Sequence, residues 1–153
     1  MTKEELKNII NNWSNNITFK EEGSEYLIVE VQPNELREIS QKLKDNNDTA
    51  FDYLFMVTGV DFGKELGVIY HLESTTKKHM IEMVVKTSDR ENPNIDTISD
   101  IWSAAYYNES EVYDFFGIKF NGHKNLRRIF LDKNWIGWPL RKDYKDEFNM
   151  LTR

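Results

Sequence analysis

The first hydrophobic residues of the chain recur at helical spacing. Thr2 and Glu5 form a capping box, and the apolar residues that follow it lie on one face of a helix. This pattern predicts a helix near residues 2–13. A second helix is predicted near residues 33–44, because Pro33 suits a first helical turn and apolar residues again recur every three or four positions.

Apolar and polar residues alternate on both sides of the second helix, as they do in half-buried β-strands. These patterns, together with a β-branched and apolar stretch that is closed by Gly59 and Gly63, predict strands near residues 17–20, 26–31, 54–60, 66–73 and 79–86. We expect the last two strands to form a hairpin around residues 74–78. The polar stretch 88–96 contains Pro93 and is predicted to be a surface loop.

A third helix is predicted from a stripe of residues that ends in front of Gly117, the expected C-terminal cap. The stripe consists of Ile101, Ala105, Asn108, Val112 and Phe115. The hydrophobic periodicity is lost after Ile118. The order of elements predicts an α+β fold over residues 1–118, a two-layer α/β sandwich with a mixed or antiparallel sheet. Residues 119–153 are expected to form an extended C-terminal arm that is basic and aromatic.

Composition excludes several classes of site. The 153 residues include no cysteine, so disulfides, Cys-ligated zinc and Cys-ligated iron–sulfur clusters are excluded. The seven glycines form no nucleotide-binding motif. No apolar run approaches the roughly 20 residues that span a bilayer, and the acidic start of the chain does not resemble a secretory signal. We therefore expect a cytoplasmic protein with no redox cofactor of its own.

The formal net charge of −6 conceals an uneven distribution. Residues 1–118 carry 11 basic and 22 acidic side chains, whereas residues 119–145 carry 8 basic and 2 acidic ones. A basic segment on an acidic protein requires a complementary surface. Two interpretations remain open: the C-terminal arm folds back onto its own domain, or it docks on a partner.

Three carboxylates lie near the end of the third predicted helix, where the helix dipole disfavours negative charge. They are Glu109, Glu111 and Asp114. We expect cationic side chains to face them, either from this chain or from a partner. The candidates are Arg127, Arg128, Arg141 and Lys142. An acid–base catalytic pair is less favoured, because the sequence supplies no activated nucleophile, metal motif or cofactor motif to work with it.

Residues 102–144 carry the most specific pattern in the chain. It runs from Glu109-Ser110-Glu111, Asp114 and Gly117-Ile118 through His123 and Leu126-Arg127-Arg128 to Gly137-Trp138-Pro139-Leu140-Arg141-Lys142-Asp143-Tyr144. This pattern closely resembles the C subunit of NADH–quinone oxidoreductase, which is the thirty-kilodalton subunit of respiratory complex I. Thr58-Gly59-Val60-Asp61 matches the same family earlier in the chain. Two positions depart from the family pattern: Ser110 replaces an Arg, and Lys124 replaces a Pro.

The resemblance implies an accessory, structural component in the hydrophilic part of a proton-translocating NADH:quinone oxidoreductase. Members of this family hold no catalytic residue, redox centre or cofactor; the complex itself would use NADH, flavin, iron–sulfur clusters and a quinone. The implied partners are the D subunit, which builds the quinone pocket and is clasped by this chain, and other subunits of the hydrophilic part. Attachment to the cytoplasmic side of the cell membrane would come only through the complex.

The resemblance also places the motif residues at the interface with partner subunits, where the C-terminal arm is expected to dock. These residues are Glu109, Glu111, Asp114, Gly117, His123, Arg127, Arg128, Trp138, Pro139, Leu140, Arg141, Lys142, Asp143 and Tyr144. Trp138, Leu140 and Tyr144 are the candidate anchors; Trp and Tyr, together with Arg, dominate interface energetics. A lone histidine such as His123 is more typical of a structural hydrogen bond than of proton transfer.

Two alternatives compete with this assignment. The first is the homologous subunit of a membrane-bound hydrogenase or of another quinone-linked dehydrogenase. The second, of a different class, is a single-stranded nucleic-acid-binding module that uses the basic, aromatic C-terminal arm. The acidic body of the chain opposes the second alternative, because it repels phosphate.

Overall fold

A computed structural model describes residues 1–20 and 23–145 of the chain. Residues 146–153, the end of the expected C-terminal arm, lie outside the described residues. The elements follow one another in the order α1 (Lys3–Asn11), β1 (Thr18–Lys20), β2 (Leu27–Val31), α2 (Leu36–Asp45), β3 (Tyr53–Asp61), β4 (Leu66–Ser74), β5 (His79–Thr87), β6 (Asn94–Asp96), α3 (Ala105–Phe116) and β7 (Lys119–Asn121). A short 3₁₀ helix, Pro33–Glu35, precedes α2.

The main sheet has five strands in the order β1-β2-β5-β4-β3. The pair β2–β5 is parallel, and the other neighbours are antiparallel. The sheet is therefore mixed, and the α+β prediction is confirmed. Because β3 is the last strand in this order, one of its edges has no strand partner within the described residues.

The predicted apolar stripes form the core between the sheet and the helices. On α1, Leu6 and Ile10 are buried behind the expected capping box, in which Thr2 and Glu5 bond each other's backbone. On β2, Leu27, Val29 and Val31 are buried while the alternating residues are half-exposed. This alternation places one face of the strand in the core, as a period of two requires.

The third helix begins later than predicted. The expected stripe starts at Ile101, but residues 98–104 form turns, with the N–H groups of Ile101 and Trp102 donating to the carbonyl of Ile98. Trp102 is buried, and its Nε1 donates to the carbonyl of Phe51 at 2.9 Å. The apolar residues of this segment therefore fill the core without being helical. The spacing of apolar residues alone does not distinguish such buried turns from a helix.

A second small sheet was missed by the sequence pattern. Its strands are β6, inside the predicted loop 88–96, and β7, inside the predicted C-terminal arm; they pair in parallel. Phe120 of β7 is buried in the core. No strand is predicted in either segment from the alternation of apolar and polar residues, and only the pairing of the two strands reveals them.

Candidate functional site

The family-type motifs meet at the C-terminal end of α3. Residues 122–145 follow β7, form turns rather than helix or strand, and cross this end of the helix. Here they contact α3 and the loops that follow β3 and β5. We call this group of side chains the motif cluster; it comprises Asp61, Arg90, Asp114, Gly117, Arg128, Trp138 and Arg141.

Asp114 and Arg128 form a buried ion pair in the motif cluster. Arg128 Nη1 lies 3.1 Å from Asp114 Oδ1 and also donates to the Asp114 carbonyl at 2.9 Å. The backbone N–H groups of residues 129–131 donate to Asp114 Oδ2 at 3.3, 2.8 and 3.0 Å. This cation and these amides offset the unfavourable position of a carboxylate in the last turn of a helix. The expected cation for Asp114 is therefore supplied by the chain itself.

Trp138 packs over the end of α3. The guanidinium carbon of Arg128 lies 4.2 Å from the centroid of the Trp138 ring, within cation–π range, and the ring of Tyr113 lies 5.3 Å away. Gly117 caps α3 with φ +74°, a left-handed conformation. A Cβ at Gly117 would lie 2.5 Å from Trp138 Cε2. The position therefore requires glycine both for its conformation and for the close approach of the indole.

Asp61, at the end of β3, connects the early motif to the C-terminal arm. Arg90 binds its carboxylate with two nitrogens, at 2.7 and 2.9 Å, and the backbone N–H of Lys142 donates at 2.9 Å. These bonds, together with one from the N–H of Gly63, hold the pKa of Asp61 far below its usual range. Arg90 also lies 3.4 Å from Asp143, whose side chain is 64% exposed. Arg90 had no signal in the sequence, because its partners are distant along the chain.

Arg141 bonds to backbone carbonyls of its own chain. Its Nε donates to the Phe116 carbonyl at 2.6 Å, and one of its terminal nitrogens donates to the Arg90 carbonyl at 3.0 Å. Phe116 ends α3, so Arg141 satisfies a carbonyl that the helix itself leaves unpaired. Burial lowers the pKa of Arg141. The guanidinium is thus bonded within the chain, and its contact with a partner stays a prediction.

Other predicted interface residues remain accessible. Leu140 is 56% exposed although its N–H donates to the Phe115 carbonyl at 3.1 Å. Arg127, Lys142 and Asp143 are exposed, whereas Pro139 and Tyr144 are half-buried. A Cβ at Gly137 would lie 2.8 Å from the Tyr144 ring, so this tyrosine packs back on the turn before it. Docking of the C-terminal arm on a partner stays a prediction.

The surroundings of Glu109 differ from the prediction that a cationic side chain faces its carboxylate. Its side chain is fully buried; Thr97 Oγ1 donates to Oε2 at 2.5 Å and the Ile98 N–H donates to Oε1 at 2.9 Å. Within the described residues it forms no ion pair, and burial raises its pKa to about 7. Glu109 holds the turn before α3 in place. Glu111, two residues later, lies exposed on the other side of the helix.

His123 has a structural position. Its Nδ1 accepts a hydrogen bond from the Asn125 N–H at 3.1 Å, so Nε2 carries the proton and donates to the Tyr106 carbonyl at 2.7 Å. The imidazole also stacks on the Tyr106 ring, with centroids 4.7 Å apart. The histidine therefore fixes the turn after β7 against α3.

An apolar groove of about 340 Å³ lies beside the motif cluster, between β3 and α3. Phe55 and Met56 of β3 line one wall, Phe115 of α3 lines the other, and Leu140 closes one side. Glu111 lies among these apolar residues.

Over residues 1–20 and 23–145, no group of three or more His, Cys, Asp or Glu side chains is placed to hold a metal ion. The helices of this described part are also too short and too polar to cross a membrane.

Residues 29–148 match the family described as the 30 kDa subunit of respiratory-chain NADH dehydrogenase. The chain is 44% identical over 124 residues to the C/D subunit of NADH-quinone oxidoreductase from Phocaeicola vulgatus, covering 80% of this chain and 24% of that protein. It is 38% identical over 120 residues to the C subunit of the same enzyme from Roseiflexus castenholzii, covering 76% of this chain and 68% of that protein. The chain thus spans about a quarter of the length of the fused C/D relative.

Solved structures share the fold. A structure of the membrane-bound sulfane sulfur reductase, an archaeal respiratory membrane complex, contains a chain that superposes with a TM-score of 0.73 at 24% identity, covering 98% of this chain and 93% of that one. A trypsin-resistant fragment (1–134) of Nqo5 superposes with a TM-score of 0.67 at 24% identity, covering 80% of this chain and 98% of the fragment. At this identity, the likeness concerns the fold alone.

Proposed function

Because this chain belongs to the family of the 30 kDa subunit of respiratory-chain NADH dehydrogenase, we propose that it is the C subunit of a proton-translocating NADH:quinone oxidoreductase. It lies in the hydrophilic part of the complex, on the cytoplasmic side of the membrane, and reaches the membrane only through its partners. The enzymatic activity belongs to the complex.

The role of the chain is architectural, and it carries no redox centre. The observation that carries this proposal is that the motif residues are bonded within the chain. Asp61 binds Arg90 and the Lys142 N–H, Asp114 binds Arg128, and Arg141 donates to backbone carbonyls. They stabilise a defined surface rather than present free groups for chemistry. The lack of cysteine in the sequence supports the same proposal, since thiolates are the usual ligands of iron–sulfur clusters.

The D subunit is the proposed partner, which this chain clasps. Relatives of the chain from Phocaeicola vulgatus and Bacteroides fragilis are named as C/D subunits, so in these proteins the C and D parts form one polypeptide. A covalent fusion keeps the two parts in the same assembly, which supports an association of this chain with a D subunit. Other subunits of the hydrophilic part are expected to contact the remaining surface.

The alternatives have less support. The fold also occurs in the sulfane sulfur reductase complex, which keeps related membrane complexes as a second candidate. The curated relatives at 38–44% identity are subunits of NADH-quinone oxidoreductase, which favours the first proposal. Binding of single-stranded nucleic acid is weakened because Arg128 and Arg141 are engaged within the chain and do not form a basic surface.

Affinity purification of the tagged chain from native membranes tests the proposal. An NADH-oxidising flavoprotein and the D subunit should co-purify with it. The isolated chain should show no visible absorbance and no NADH oxidation. A nickel-containing partner would instead support a hydrogenase, and a stoichiometric flavin or metal cluster in the pure chain would contradict the architectural role.

A further inference from the structure

The groove between β3 and α3 exposes large apolar side chains. The exposed fractions are 38% for Phe55, 46% for Met56 and 56% for Leu140. Phe130, which stacks on Phe115 with centroids 5.8 Å apart, is 66% exposed and extends the same surface. Aromatic residues and methionine are enriched at protein interfaces, and a contiguous patch of them marks a contact site.

One wall of this groove belongs to the edge of the sheet. Within the described residues β3 pairs only with β4. Its register shifts between Leu54 and Met56, where the consecutive side chains of Phe55 and Met56 are both exposed. An unprotected edge strand with apolar side chains is a liability in a free protein, and proteins normally cover such edges. We therefore expect another polypeptide segment to pack on the groove.

The position of the groove along the chain indicates what covers it. Leu140 lines the groove and belongs to the C-terminal arm, which is predicted to dock on a partner. The fused relative from Phocaeicola vulgatus is named C/D, and this chain matches only 24% of its length. In that fused relative the C and D parts belong to one polypeptide, so the D part is held at high effective concentration beside the C part.

We propose that the groove formed by Phe55, Met56, Phe115, Leu140 and Glu111 binds an apolar segment of the D subunit that carries a lysine or arginine opposite Glu111. The charge follows from the lining, because Glu111 is the ionisable side chain among the groove residues and lies exposed at its rim. A cation facing it would steer docking and fix the register of the segment. The apolar side chains would supply most of the affinity. This assignment rests on the proposed function, which names the D subunit as the partner. It places the contact with that subunit in the groove.

Binding of the full-length chain to the purified D subunit of the same organism, measured by biolayer interferometry, tests the proposal. Met56→Gln and Leu140→Gln should each raise the Kd at least tenfold, mainly through faster dissociation, because both positions are expected anchors. Phe62→Gln is the matched control: Phe62 is also an exposed aromatic, at 40%, but packs beside Lys86 away from the groove. It should bind with wild-type affinity.

The charge is tested separately. Glu111→Lys should slow association several-fold at low salt and reverse its salt dependence. The control Glu25→Lys changes the same charge at an exposed position next to β2, distant from β3 in the strand order, and should leave the Kd unchanged. Thermal midpoints of all variants should stay close to that of the wild type, since each altered residue is exposed.

Photo-crosslinking gives a readout that does not depend on altered stability. A photoreactive benzoylphenylalanine in place of Met56 should label the D subunit, and the same residue in place of Phe62 should not. Suppose that the wild type binds the D subunit, that all groove variants bind it normally, and that position 56 does not label it. The assignment of the groove is then wrong, but the proposed function stands. If the wild type does not bind the D subunit at all, the proposed function fails. Labelling of a second copy of this chain, or of its own residues 146–153, would assign the groove to that occupant and overturn the proposal.

Discussion

The Asp61 carboxylate accepts a hydrogen bond of 2.9 Å from the backbone N–H of Lys142, which lies 81 positions later in the chain. Asp61 belongs to the Thr58–Asp61 motif and Lys142 to the final motif of the C-terminal arm. Two sequence patterns that are far apart in the chain are therefore one structural unit. Much of the family signal encodes the attachment of the arm to its own domain.

Asp61→Asn should destabilise the chain by about 3 kcal/mol, because it leaves Arg90 without its buried carboxylate partner. Chemical denaturation followed by tryptophan fluorescence measures this change. The control is Asp143→Asn, which removes the exposed partner of the same arginine and should cost less than about 1 kcal/mol. Equal effects of the two substitutions would contradict a central role for Asp61.

Gly117→Ala should cost roughly 3 kcal/mol, since it combines a left-handed backbone strain with the displacement of Trp138. Gly63→Ala is the matched control: its φ is +95°, but a Cβ there would meet nothing within 4 Å. It should cost only the backbone strain, about 1 kcal/mol. Thermal unfolding compares the two, and a Gly117 variant as stable as the Gly63 variant would show that the indole does not depend on the glycine.

Glu109→Gln should remove a pH dependence of stability between pH 4.5 and 7. Because the folded pKa of Glu109, about 7, lies above the unfolded value of 4.5, the folded state binds the extra proton in this window. Stability contributed by Glu109 is therefore complete below pH 4.5 and lost as the pH rises to 7, by on the order of 3 kcal/mol. The amide can keep both hydrogen bonds without ionising.

The measurement for Glu109 is the difference between wild type and variant across pH. Burial lowers the pKa values of His71 and His79. The folded state therefore loses stability as the pH falls below 6.5, which is opposite to the effect of Glu109. Both proteins share this effect, and it cancels in the difference. Glu111→Gln, an exposed control on the same helix, should leave the profile unchanged. A parallel pH profile for Glu109→Gln and wild type would contradict the prediction.

Arg128→Ala should destabilise the chain by roughly 3 kcal/mol or more, because Asp114 is fully buried and would lose its cation. The neighbouring Arg127→Ala changes the same residue type at an exposed position and should shift the free energy of unfolding by no more than about 0.5 kcal/mol. Urea denaturation separates them. Similar effects at both positions would indicate that the pair Asp114–Arg128 is not maintained in solution.

The long periodic elements were predictable from local pattern. The helices α1 and α2 and the strands β1 to β5 lie within a few residues of their predicted bounds, because each shows an apolar stripe over several turns or pleats. The pattern failed at Ile101–Ala104, β6 and β7. In those segments, burial depends on neighbours from other parts of the chain and leaves no local period.

The sequence by itself determined the long periodic elements, the α+β class and the family, since each of these follows from local spacing or from residue identities. Only the tertiary structure decided how the charges are used. Asp114 pairs with Arg128, Arg141 donates to the backbone carbonyls of Phe116 and Arg90, and Glu109 forms no ion pair within the described residues. The physical reason is distance: these partners lie between 11 and 51 positions apart, so their pairing is set by packing and desolvation, not by neighbouring residues.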